Sequence, residues 1–130
     1  KSGLQSHFLR LAQRGLKTLL LAGRVKATTD AVIGTEAVAS LQHYHFSKGF
    51  FGTNGITVEE GFTTPDIEEA MNKRVAMEHC RKCYVLADAS KFEALSNVSF
   101  GPLSKGVIIT AAQEGLNVKS YKQHTEVIVL

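Results

Sequence analysis

The chain has 130 residues, of which 44% are hydrophobic and 21% charged, and this is the composition of one ordinary soluble domain. Its longest apolar run, TLLLAG at residues 18–23, is far shorter than the roughly 20 residues of a membrane-spanning helix, which excludes that class of protein. The net charge of +3 arises from 15 Lys+Arg and 12 Asp+Glu without a basic stripe, and it suits a phosphorylated metabolite at least as well as DNA.

The first predicted elements are a helix and a short strand. Apolar residues at helical spacing begin at Leu4 and end near Gly15, a residue type that commonly ends helices. The continuous apolar run at residues 16–21 is typical of a strand that is buried on both faces. A short strand at Ala31–Ile33 and a helix over residues 35–42 follow.

The middle of the chain contains the best-marked helix. Residues 49–52, GFFG, predict a short buried strand, and residues 53–61 a glycine-rich turn. Thr64 is then the candidate N-cap, and Pro65 occupies the first helical position, where its missing N–H is not needed. Acidic residues in the next turn complement the helix dipole, and an apolar face extends to Met77.

The two cysteines, Cys80 and Cys83, form a single C-R-K-C motif. Such a pair is typical of a redox site or of half a zinc site. A structural zinc ion needs four ligands, and no second pair or nearby His-x3-5-His motif completes the set. We interpret the cysteines as reduced thiols at a helix-to-strand junction, in a reducing compartment such as the cytoplasm, and expect no metal and no cofactor.

Three further strands complete the pattern, at residues 82–87 (KCYVLA), 106–110 (GVIIT) and 125–130 (TEVIVL), the last preceded by a final helix. Alternating strands and helices predict an α/β fold, an open and mostly parallel sheet with helices on both faces, in a single domain over residues 1–130. In such sheets ligands bind beyond the carboxyl ends of the strands. This rule selects residues 53–55, residues 88–91, and Thr110 with the residues after it.

Two of these segments carry groups that suit a ligand. The glycines of GTNGI surround Thr53 and Asn54, and successive backbone N–H groups there can form an anion-binding concavity. A plain turn between two elements explains the same residues. Asp88 and Lys91 follow the predicted YVLA strand and suit a sugar hydroxyl and a phosphate, or equally a capped turn with a solvated lysine.

Lys73, on the capped helix, also has two interpretations. It lies four residues after Glu69, with which it can form an ordinary surface pair. Alternatively, its long side chain reaches inward and its ammonium group binds a phosphate. The sequence leaves both open.

Five stretches follow one another with the order and spacing of a known family: LLAGRV, AVIGTEAVASL, FFGTNGITVEEGFTTPDIEEAMNKRVAM, YVLADASKF and VIIT. Together, from about Ser2 to Thr110, they resemble the effector-binding domain of DeoR-family transcriptional repressors. The third stretch is the most specific, and it is similar to the branch that controls fructose, lactose and related phosphotransferase operons. The sensor fold of this family is similar to ribose-5-phosphate isomerase.

The resemblance implies a sensor and not an enzyme. A phosphorylated sugar, of the fructose 1-phosphate or tagatose 6-phosphate type, would bind and alter the affinity for operator DNA, and self-association is expected because repressors read two-fold operators as dimers. Lysine ammonium and backbone N–H groups would hold the phosphate, while carboxylate and amide groups would bind sugar hydroxyls. The implied effector-binding residues are Ser2, Thr53, Asn54, Gly55, Lys73, Asp88 and Lys91.

The same resemblance implies that the chain holds part of a longer repressor. The DNA-binding helix-turn-helix is not in this sequence, and complete sensor domains usually begin with a further strand and a D-x-G-T-T-type loop that cradles phosphate. We therefore expect an N-terminally truncated sensor domain with an incomplete pocket, which on its own binds effector weakly.

Two other functions stay open. An aldose–ketose phosphate isomerase would use the same pocket, but it needs carboxylates as acid and base. The isomerase loop that matches residues 52–56 is rich in aspartate, whereas GTNGI has none, so the base would have to be Glu59 or Glu60. The third function is an oligomerisation module with a vestigial pocket.

Overall fold

The structure, a computed structural model, describes residues 10, 13–15, 24–26 and 31–130. The helices bounded within this part are α1 Thr35–Leu41, α2 Ile67–Glu78 and α3 Lys119–Lys122, and single 3₁₀ turns occur at Ala89–Lys91 and Leu103–Lys105. The strands are β1 Arg24–Lys26, β2 Ala31–Ile33, β3 Phe46–Gly52, β4 Gly55–Thr57, β5 Gly61–Thr64, β6 Cys80–Leu86, β7 Val98–Gly101, β8 Val107–Thr110 and β9 Val127–Val129.

Part of the predicted N-terminal structure lies outside the described residues, namely the strand at residues 16–21, most of the first helix, and Ser2. Where that helix is described, the Arg14 N–H donates to the Arg10 carbonyl at 3.2 Å. Gly15 follows with a φ of 82°, the left-handed conformation that ends helices. The predicted end of the first helix is therefore confirmed.

Four strands form a parallel sheet in the order β3–β6–β8–β9, and each neighbouring pair runs in the same direction. Gly52 lies opposite Leu86, and Leu86 opposite Ile109, so the strands end together at one edge. We call it the carboxyl edge. The predicted α/β fold with an open, mostly parallel sheet is confirmed.

A second sheet, antiparallel, contains β4, β5 and β7 in that order. The sequence-based prediction has a turn over residues 53–61, which is wrong because residues 55–64 form a β-hairpin. Its strands are only three and four residues long, too short for apolar alternation to be recognised, and the first begins at Gly55, a residue type depleted in strands. The hairpin supports the core through Phe62, which stacks on Phe100 of β7 with ring centroids 6.0 Å apart.

Helix α2 begins two residues later than predicted. Its N-cap is Asp66, whose side chain accepts a hydrogen bond from the Glu68 N–H at 2.8 Å. Thr64, the predicted cap, instead ends β5 and donates its hydroxyl to the Asn54 side chain at 3.1 Å. Pro65 accordingly precedes the cap. Thr and Asp are both good N-caps, so their intrinsic preferences do not decide which residue caps α2. Asp66 is the cap because Thr64 is part of β5.

A third, two-stranded sheet pairs β1 with β2. The core lies between the parallel sheet, the sheet of β4, β5 and β7, and α2, which contributes Ala70 and Met77. Strand β3 departs from the prediction of a buried GFFG segment. Phe51 packs against the core, but the next side chain along, Phe50, projects from the opposite face, stacks on Tyr84 at 5.2 Å and is 64% exposed. Among the described residues, no helix has the length and apolar character needed to cross a membrane.

Candidate functional site

The three segments selected from the sequence lie at the same edge of the structure. Residues 53–55 follow β3, residues 88–91 follow β6, and Thr110 ends β8, and these three strands are consecutive neighbours in the parallel sheet. The carboxyl edge is therefore built from the segments that the rule for open parallel sheets selects.

Two of these segments are in direct backbone contact. Phe92 forms a parallel bridge with Ile56, and the Glu93 N–H donates to the Ile56 carbonyl at 2.8 Å. At Gly55 the approach is so close that a Cβ would lie 2.2 Å from the Ala94 carbonyl oxygen. The chain that leaves β6 thus crosses over to the GTNGI segment, which brings Lys91 close to it.

The fold already uses several polar groups of residues 53–55. The buried Thr53 hydroxyl lies 2.9 Å from the Gly55 carbonyl oxygen and 3.0 Å from that of Thr63. The Asn54 N–H donates to the Thr63 carbonyl at 2.9 Å. The exposed Asn54 side chain accepts from Thr64, and its amide nitrogen has no hydrogen-bond partner within the described ranges. What this loop offers a ligand is therefore mainly that amide group.

Lys73 reaches from α2 to the end of β3. Its Nζ donates to the Gly52 carbonyl at 2.8 Å and lies 4.9 Å from the centroid of the Phe100 ring. Burial lowers the pKa of Lys73, and the nearby Glu69 carboxylate opposes that shift. The structure has a feature of each sequence interpretation of Lys73. Glu69 is an electrostatic neighbour, as in a surface pair, but the ammonium group is directed towards the end of β3, as in an inward-reaching side chain.

Asp88 and Lys91 flank the 3₁₀ turn after β6. One Asp88 carboxylate oxygen accepts from the Ser90 N–H at 2.9 Å and from the Ser90 hydroxyl. Asp88 therefore caps its own turn, and its second oxygen is not used in these bonds. Lys91 is partly exposed, and its ammonium group has no hydrogen-bond partner in the part of the chain that the structure describes.

The Ser90 hydrogen bonds, first from the side chain and then from the backbone, hold the pKa of Asp88 below its ordinary 3.8. A carboxylate with a lowered folded-state pKa stabilises the fold above pH 3.8, and that contribution is lost as the pH falls through the folded value. We expect Ser90→Ala to raise the pKa of Asp88 towards 3.8 without abolishing the shift, because the backbone N–H remains. Carboxyl NMR titration of both forms tests this, and an Asp88 that titrates at the same pH in both would contradict it.

Beside these residues, a cleft of about 520 Å³ opens between the ends of β6 and β8. Asp88 and Ser90 line one side and residues 113–117 the other, with Glu93 and the buried Tyr121 between them. Glu93 and Tyr121 were not among the predicted site residues. No sequence signal marks them, because they are brought together across 28 positions by tertiary contacts.

Two of the further grooves on the described part of the chain bear on the choice of site. One, of about 360 Å³, is lined by Glu59, Glu60 and Arg74 among others, and neither glutamate lines the cleft at the carboxyl edge. The other, of about 300 Å³, lies between α1 and α2 and is mostly apolar, with Val38 and Met71. Within the described ranges, no group of three or more His, Cys, Asp or Glu side chains is arranged to hold a metal ion.

The comparisons with known proteins agree with this architecture. A family model described as the DeoR C terminal sensor domain matches residues 5–112. The chain belongs to this family. The membership inferred from the sequence motifs is confirmed.

Relatives of the sensor domain are transcriptional regulators. The sensor domain is 40% identical to the uncharacterised HTH-type transcriptional regulator FruR of Bacillus subtilis over 124 residues, and this match covers 95% of the chain and 49% of the Bacillus protein. It is 31% identical over 125 residues to the lactose phosphotransferase system repressor of Streptococcus mutans, with 93% and 49% covered. To the HTH-type transcriptional regulator GlpR of Haloferax volcanii it is 32% identical over 97 residues, with 75% and 38% covered. The sensor domain thus spans about half the length, or less, of these relatives.

Proposed function

We propose that this chain is the ligand-sensing part of a DNA-binding repressor of a sugar-utilisation operon, acting in the cytoplasm. A phosphorylated sugar binds at the carboxyl edge of the parallel sheet and alters the operator affinity of a helix-turn-helix domain outside this chain. The observation that carries the proposal is the contact between the segment after β6 and the GTNGI segment. It brings Lys91, whose ammonium group has no hydrogen-bond partner within the described ranges, close to the Asn54 loop.

The phosphate is assigned to the side of the edge formed by β3 and β6. Lys91 supplies an ammonium group there whose charge attracts the exposed Asp88 carboxylate, and Lys73 supplies a second ammonium group that uses one of its three N–H bonds on Gly52. Because Lys73 is half-buried and partly desolvated, its attraction to a dianion is stronger than that of a fully solvated lysine. The free oxygen of Asp88 and the amide nitrogen of Asn54 remain for sugar hydroxyls.

Sensing then requires no chemistry. An effector that binds two arrangements of the repressor with different affinity shifts the population towards the one it prefers, and DNA affinity changes with it. The relatives are named as transcriptional regulators, which supports a binding role. An isomerase is less well supported, because Glu59 and Glu60 line a separate groove and the lowered pKa of Asp88 makes it a weak base near neutral pH.

The test is a calorimetric and thermal-unfolding titration of the full-length protein with fructose 1-phosphate, tagatose 6-phosphate, glucose 6-phosphate and inorganic phosphate. We expect at least one phosphosugar to bind, to raise Tm, and to change affinity for operator DNA. At a concentration of 100 Kd, the added stability is about 2.7 kcal/mol. No binding of any phosphosugar would refute the proposal.

Two further measurements separate the other functions. In a coupled isomerase assay the phosphosugar that binds should show no turnover, whereas turnover would identify an enzyme. An oligomerisation module with a vestigial pocket would be indicated if Lys91→Ala and Asp88→Ala left the effector response intact while self-association persisted.

A further inference from the structure

Glu93 has an unusual backbone conformation for its residue type. Its φ is 64°, and within the described ranges it is the sole non-glycine residue with a positive φ. Glu93 is the third residue of a type II turn, because Phe92 before it has φ −70° and ψ 136° and the Ala94 N–H donates to the Lys91 carbonyl at 3.4 Å. The Glu93 N–H in turn donates to the Ile56 carbonyl at 2.8 Å, which holds the turn against β4.

The carboxylate of Glu93 is also held in place. The Tyr121 hydroxyl hydrogen-bonds one of its oxygens, and Tyr121 itself is 1% exposed and packs edge-on against Phe92. Burial and the adjacent Glu93 carboxylate raise the pKa of Tyr121, so the phenol stays protonated and remains a donor. The other Glu93 oxygen has no hydrogen-bond partner among the residues that the structure describes.

The cleft beside Glu93 is lined by polar side chains from two segments. Asp88 and Ser90 contribute from the segment after β6, and Gln113 and Asn117 contribute from the segment after β8. Carboxylate, hydroxyl and amide groups of this kind form hydrogen bonds with sugar hydroxyls.

We propose that the cleft between the ends of β6 and β8 takes the hydroxyl-bearing part of the bound sugar phosphate, with Glu93 as the fixed acceptor that orients it. This inference rests on the proposed function. A carboxylate with one oxygen held and the other free accepts hydrogen bonds from sugar hydroxyls. It also repels a phosphate, so the phosphate lies towards Lys91 and the Asn54 loop. Glu93 thereby sets the direction in which the sugar lies.

The experiment compares the wild-type full-length protein with Glu93→Gln, using as ligands the tightest-binding phosphosugar of the three and inorganic phosphate. We expect Glu93→Gln to weaken phosphosugar binding about tenfold or more, because the Tyr121 hydroxyl engages the single oxygen of glutamine and the amide nitrogen left to face the ligand cannot accept a hydrogen bond. Affinity for inorganic phosphate should be unchanged or higher, because a negative charge is removed. Glu36→Gln, which makes the same charge change on α1, is the matched control and should alter neither affinity.

Glu93→Gly is a second variant that is expected to fold, because glycine readily adopts the positive φ of this position. It should also lose affinity for the phosphosugar and keep affinity for inorganic phosphate. If both Glu93 variants bind the phosphosugar as the wild type does, the role of Glu93 is refuted while the proposed function stands. An equal loss of phosphosugar and phosphate affinity would also refute it. If the wild type binds no phosphosugar, the proposed function itself fails.

Discussion

Replacing Gly55 by alanine is expected to destabilise the fold by about 3 kcal/mol, at the upper end of the usual cost of overpacking. The new Cβ would lie 2.2 Å from the Ala94 carbonyl oxygen and 2.8 Å from the Thr63 hydroxyl oxygen. The closer of these is backbone and cannot rotate away, so the segment after β6 must move away from β4. Urea denaturation followed by circular dichroism measures the loss of stability.

Gly52→Ala is the matched control for this change. It lies three residues earlier at the same edge, and a Cβ there would meet nothing within 4 Å. Its free energy of unfolding should stay close to that of the wild type, or rise slightly because alanine restricts the unfolded chain. Equal stability of the Gly55 and Gly52 variants would contradict the close approach of the two segments.

The second large effect is expected on ligand binding. Lys91→Ala should weaken phosphosugar binding by about 1.5–3 kcal/mol, which is the contribution of a hydrogen bond to a charged group and corresponds to about 10–150-fold in Kd. Unlike Glu93→Gln, it should weaken inorganic phosphate binding as well, because the lost group is the cation that holds the phosphate. Stability should change little, because the interaction of Lys91 with the Asp88 carboxylate is at an exposed position, where ion pairs contribute little.

Lys48→Ala is the matched control, because it removes the same charge from an exposed position on β3, towards the middle of the strand. It should leave Kd within about twofold of the wild type, since a solvated charge far from the ligand is screened. Lys91→Arg should keep a substantial part of the affinity. If the Lys91 and Lys48 variants bind equally well, the phosphate does not lie where we propose.

The parallel sheet and its carboxyl edge are well predicted from sequence because β3, β6 and β8 each have a short apolar stretch near their carboxyl end (FF, YVL and VII), followed by a polar or glycine-containing segment. Such a pattern can be recognised from residues that are adjacent in the sequence, without knowledge of tertiary contacts. It located residues 53–55, 88–91 and Thr110 at one edge, as the register of β3, β6 and β8 confirms.

The remaining features depend on contacts between distant parts of the chain. The β4–β5 hairpin has strands too short to show periodicity, and the choice of Asp66 over Thr64 as the N-cap of α2 follows from the pairing of β5. Similarly, the inward direction of Lys73 depends on the position of the Gly52 carbonyl. Glu93 is the clearest case, because the hydrogen bonds of its N–H and its carboxylate are made with Ile56 and Tyr121, which sequence patterns do not connect to it.

The most direct test of the central claim is a crystal structure of the full-length protein with its tightest-binding phosphosugar. We predict the phosphate beyond the ends of β3 and β6, with the Lys91 ammonium group within hydrogen-bonding distance of a phosphate oxygen. Density for the sugar in the groove lined by Glu59 and Arg74, or between α1 and α2, with the carboxyl edge unoccupied, would contradict the account.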